Sequence, residues 1–154
     1  MNIYKDFKRA AEQKLNDFPM FFAFDTEQFN EGLQKLQCTQ QELTRIPHGG
    51  FIRLRDLRAY QDLWSDYEAE LSALLSTTEG FVDAVYYELC NHEYALTYDA
   101  QQALNVLGLD ADELTPAQQE LFMLALATLS ISAKFILSTT FIAVYFSFHY
   151  LNTL

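Results

Sequence analysis

Apolar residues recur three and four positions apart through most of this chain, the spacing that lays them along one side of an α-helix. Tyr4, Phe7, Ala11, Leu15 and Phe18 form the first stripe and predict a helix over residues 3–17, stopped by Pro19. Met20-Phe21-Phe22-Ala23-Phe24 then reads as a short buried strand. Asp25 is placed to cap the next helix, with Gln28 three positions on to complete a capping box. That helix is expected to bury Phe29, Leu33 and Leu36. After a polar connection, Pro47-His48-Gly49-Gly50 signals a turn and residues 51–54 a strand.

A longer stripe of Leu57, Tyr60, Trp64, Tyr67, Leu71 and Leu74 predicts a helix over 56–76, broken by Thr77-Thr78-Glu79-Gly80. Further helices are expected over 81–94 and 99–107, the second closed by Gly108 at its C′ position. Thr115-Pro116-Ala117-Gln118 starts another, with a Thr cap, a Pro at the first helical position and a Gln to close the box. The result is a helix-dominated α+β fold of about five to seven helices with a small sheet of short strands, in one domain spanning 1–154.

Residues 135–154 break the pattern, because they contain no Asp, Glu, Lys or Arg. Leu137, Phe141, Val144, Phe148 and Leu151 make one helical stripe, while Ile142, Tyr145 and Phe146 lie off it. β-Branched and aromatic residues also suit a strand over 141–150. The segment reads as a buried core or dimer-forming element, and its alternative is a tail anchor with Lys134 on the cytoplasmic side. A homodimer sealed by this segment fits the first reading. The amino terminus has no apolar run behind its charges, so it does not resemble a secretory signal.

Composition narrows the class. Half of the residues are hydrophobic and 15% aromatic, which excludes disorder over most of the length. Two cysteines, Cys38 and Cys90, are no disulfide framework, and no zinc spacing accompanies them. They read as buried or half-buried thiols of a reduced, cytoplasmic protein. The net charge of −11 argues against binding nucleic acid directly, which takes clustered Lys and Arg, and against an anionic membrane surface.

The charge is unevenly placed. Residues 1–60 carry nine bases and eight acids, whereas residues 61–154 carry thirteen acids and only Lys134. Among those acids Asp62, Asp66, Glu68, Glu70, Glu79, Asp83, Asp110, Asp112 and Glu113 are the candidates for meeting a cationic partner. Asp62, Asp66 and Glu70 follow i, i+4, i+8 spacing and predict a like-charge row on one helical face. Such a row projects a sustained negative potential that a basic, nucleic-acid-handling groove would attract.

One string has chemical potential. In Glu88-Leu89-Cys90-Asn91-His92-Glu93-Tyr94, followed by Thr97 and Asp99, a helical start puts Glu88 and His92 one turn apart. A carboxylate beside an imidazole can orient a general base or share a metal, and Glu88, Asn91, His92, Glu93 and Asp99 are the candidate residues. The same contact can simply tie a helix end to the following turn, for Asn91, Thr97 and Asp99 are good capping residues. No HExxH, GxGxxG, Walker or GxSxG sequence is present. No catalytic residue, metal or cofactor is assigned.

This string resembles an uncharacterised family of small proteins encoded by phages and mobile elements of Gram-positive bacteria. Phe21-Phe22-Ala23-Phe24 with Gln28, Phe29, Glu31 and Gly32 is similar to the same family, as are Gly49-Gly50-Phe51, Ala103-Leu104 and Leu107-Gly108-Leu109. The resemblance covers about residues 4–128, and the tail beyond Thr128 departs from it. It implies a fold and a genetic setting, with no activity attached. Small acidic proteins of that setting often inhibit bacterial defence, some by presenting carboxylates to a nucleic-acid groove. The expected function is therefore a non-enzymatic, anti-CRISPR-like inhibitor in the bacterial host cytoplasm, acting on a CRISPR effector or other nuclease. The alternatives are a metal protein or enzyme using the Glu88–Asp99 string, and a tail-anchored protein with an acidic cytosolic domain.

Overall fold

A computed structural model describes residues 2–129, so the expectations for 135–154 lie outside the described residues. It is a helix-dominated α+β fold, with seven helices and one three-stranded antiparallel sheet among the described residues. The described residues divide into two compact units, one of residues 6–72 and one of residues 2–5 with 73–129.

In the unit of residues 6–72, α1 (Ile3–Asn16) enters from its first turn and ends before Pro19. β1 (Met20–Phe21) is shorter than the expected strand. Phe22 is 51% and Phe24 91% exposed, which corrects the reading of 20–24 as a buried strand. The strand stops because the chain turns into the cap of α2 (Thr26–Leu36): Asp25 Oδ1 accepts from Gln28 N at 2.8 Å. The Gln28 side chain reaches back one residue further than a capping box requires, to Phe24 N at 2.9 Å.

The polar connection after α2 contains a strand that the hydrophobic pattern did not announce, β2 (Leu43–Arg45). It is preceded by a 3-10 turn in which the backbone N–H and hydroxyl of Thr39 hold the Glu42 carboxyl below its usual range. β2 and β3 (Phe51–Arg53) form a hairpin around Pro47–Gly49, and β3 is the central strand in the order β1-β3-β2. Ile52 faces Met20 on one side and Thr44 on the other. Ile46, Ile52 and Tyr60 form the buried cluster, covered by Leu15, Phe18 and Met20. α3 (Leu57–Leu75) supplies Tyr60 and Leu71 to the interior, whereas Leu57 and Trp64, expected inside, are each 36% exposed.

In the other unit, Thr77 caps α4 (Thr78–Asn91) by accepting from Gly80 N. Phe81, Ala84, Val85, Glu88 and Leu89 make its buried face. α5 (Tyr94–Thr97) is a single turn, and α6 (Gln101–Val106) packs against α4. Gly108, at φ +67°, ends α6 as expected: its N–H bonds Asn105 O while Leu109 N–H bonds Leu104 O. This double bond is the Schellman geometry that favours glycine. Thr115 and Gln118 exchange cap hydrogen bonds in both directions and open α7, over 116–129.

Candidate functional site

Glu88 occupies a core position of α4, at the spacing of Phe81, Ala84 and Val85, and it has no solvent exposure. A carboxylate there must be surrounded by donors. Tyr4, itself fully buried, donates its hydroxyl to Glu88 Oε1 at 2.6 Å across 84 positions of sequence. Asn91 Nδ2 donates to Oε2 at 3.2 Å. His92 Nε2 lies 3.5 Å from the same oxygen, an ion-pair distance without hydrogen-bond geometry. The helical start thus brings Glu88 and His92 together, as the spacing implied, and adds a partner that no local pattern foretold.

The amino-terminal residues are held on α4 by a second carboxylate. Ile3 N donates to Asp83 Oδ2 at 2.7 Å, and Asn2 Nδ2 to the Asp83 carbonyl at 3.1 Å. Asn2 also caps α1 by accepting from Lys5 N. Asp83 is thereby engaged inside its own unit.

Beyond the buried Leu89 and the half-buried His92 and Tyr94, the rest of the string is exposed and turns sharply. His92 closes α4 through its N–H to Glu88 O. Glu93 and Tyr98, at either end of α5, have φ of +54° and +56°, a region that non-glycine residues rarely occupy. Thr97 Oγ1 donates to Glu93 O and accepts from Asp99 N, and Asp99 Oδ1 caps Gln101 N. Thr97 and Asp99 therefore make the side-chain bonds to backbone that their types favour, whereas Asn91 is spent on the Glu88 side chain rather than on a cap.

Chemically, this arrangement is a fully buried carboxyl group held by the Tyr4 hydroxyl and the Asn91 amide. No group of three or more His, Cys, Asp or Glu side chains gathers at metal-binding distance among the described residues. Cys90 is exposed, which corrects the expectation of a buried or half-buried thiol, while Cys38 is half-buried as expected. Exposed as the residue is, desolvation of its sulfur by neighbouring groups pushes the Cys90 thiol up, against a smaller opposing effect of its hydrogen bond with Tyr86, so it lacks the depressed pKa of a reactive cysteine.

The acidic row is present on α3, where Asp62, Asp66 and Glu70 are exposed at one-turn spacing. Its ends are paired: Arg58 Nε lies 3.0 Å from Asp62, and Lys14 Nζ 2.8 Å from Glu70. Asp66 between them makes no ion pair among the described residues, and Glu68 is exposed beside it. In the other unit Glu79 is exposed in the first turn of α4, and Asp112 and Glu113 are exposed on the 3-10 turn capped by Asp110. Among the described residues no helix is long and apolar enough to cross a membrane.

Residues 3–127 match the model of a family described as a family of unknown function (DUF7659). No curated protein and no solved structure matches the chain.

Proposed function

The chain belongs to the family of unknown function DUF7659, and from its own residues we propose that it acts by binding a cationic, nucleic-acid-handling protein without catalysing a reaction. The observation that carries this reading is the exposure of Asp62, Asp66, Glu68, Glu70, Glu79, Asp110, Asp112 and Glu113 within a stretch that holds no Lys or Arg from residue 61 to 133. Like charges so concentrated repel one another, and mixed charges would keep a protein equally soluble without that cost. A partner lined with Lys and Arg removes the repulsion and gains on-rate from it. The motif resemblance to phage and mobile-element proteins supports a finer version, an inhibitor of a CRISPR effector or another nuclease inside a bacterial host. The complete burial of Glu88 favours a structural role for the Glu88–His92 contact over a catalytic one.

Asp66 is the sharpest probe, because Asp62 and Glu70 already face Arg58 and Lys14. With the full chain and an immobilised, purified CRISPR effector nuclease, binding should be measurable at about 0.05 M salt and weaken steeply towards about 0.5 M. Asp66→Lys should lower the affinity several-fold, and the triple reversal with Asp62→Lys and Glu70→Lys should lower it further, with the circular dichroism spectrum unchanged. Affinity indifferent to both salt and charge reversal would overturn the proposal.

A further inference from the structure

The turn between Glu93 and Asp99 carries exposed apolar groups that neither folding nor the acidic row explains. Leu96 is 78% and Tyr98 79% exposed, and the Tyr94 and Tyr98 rings meet edge to face at 6.0 Å. Tyr98 sits at φ +56°, where glycine or asparagine would be favoured, and its exposure leaves it little burial in return. The backbone around it is held: Tyr98 N bonds Tyr94 O at 2.8 Å, and Thr97 and Asp99 bond on either side. A fixed turn therefore presents a tyrosine face and a leucine to solvent between two exposed carboxylates, Glu93 and Asp99, with no cation in the surrounding sequence.

We infer that the 93–99 turn is the arginine-recognising contact of this protein, taking a partner's guanidinium on the Tyr98 ring with Glu93 and Asp99 supplying the opposite charge and Leu96 the apolar rim. Charge selects the class of occupant, since the turn offers carboxylates without bases. The rings select arginine over lysine, because a planar, weakly hydrated guanidinium stacks on an aromatic face while an ammonium stays hydrated. Tyrosine paired with arginine is also the combination that concentrates binding energy at protein interfaces. The inference rests on the cationic-partner reading above and names where on the chain the discrimination is made.

The test titrates the full chain with deca-arginine and with deca-lysine at low salt, by calorimetry and by amide chemical shifts. Deca-arginine should bind roughly fivefold more tightly, and its addition should shift the amides of 93–99. Tyr98→Asn removes the ring and suits the left-handed backbone, so the fold should survive while the arginine preference disappears. Leu96→Ser, on an exposed position away from the strained residues, should reduce it. Equal binding of the two peptides to the unaltered chain would overturn this inference and leave the cationic-partner reading standing. An arginine preference that persists in Tyr98→Asn would overturn it as well. Binding of neither peptide would overturn both.

Discussion

Glu88 is the residue whose chemistry is most demanding. Its carboxylate lies in the apolar face of α4 with no exposure, and it is tolerable there because Tyr4 and Asn91 donate to it and His92 stands beside it. Tyr4→Phe keeps the ring and deletes the donor at Oε1. The variant should lose about 1–3 kcal/mol of stability in urea unfolding, and an unchanged midpoint would show that the hydroxyl is not needed. The Glu88–His92 approach was legible in the sequence, because residues four apart on a helix are neighbours whatever surrounds them. The Tyr4 contact was not. Nothing local distinguishes a tyrosine that will meet a carboxylate 84 positions away from one that simply fills a core. The signal available was weaker: Glu88 falls in register with Phe81, Ala84 and Val85, so the periodicity alone places an acid inside.

Among the elements, caps and stops are legible in the sequence and short strands are not. Asp25, Thr115 and Gly108 act within one helical turn, where bonding is set by the residues themselves. β2 escaped notice because Leu43-Thr44-Arg45 has too few residues to show an alternation, and it is a strand only because Phe51–Arg53 pairs with it. Phe24 went the other way: an aromatic run looks buried until the cap of α2 turns the chain outward. The close packing of β1 on α2 yields a prediction at this scale. A Cβ at Gly32 would overlap the Phe21 ring, so the ring must leave its stack with Phe51 or the helix must retreat. Gly32→Ala should destabilise by about 1–3 kcal/mol, the usual cost of overpacking, despite the better helix propensity of alanine. Thermal unfolding measures it, and a raised melting temperature would contradict the contact.

For the whole molecule the governing quantity is charge. Thirteen acids and one base after residue 60 make that part self-repelling, and screening should relieve it. Raising the salt from about 0.01 M to about 0.15 M shortens the screening length from about 30 to about 8 Å, and the unfolding midpoint should rise with it. A falling midpoint would mean that ion pairs such as Lys14–Glu70 and Arg58–Asp62 outweigh the repulsion. What the amino-acid order determined alone is whatever acts within a turn or by total charge: helix-rich class, caps, the acidic row on α3 and the meeting of Glu88 with His92. Tertiary structure decided the order of the three strands, the exposure of Phe24 and Tyr98, the burial of Glu88 and the reach of Tyr4 to it. Those outcomes depend on which of many competing apolar surfaces close over one another, and a local stretch of chain carries no record of its distant partner.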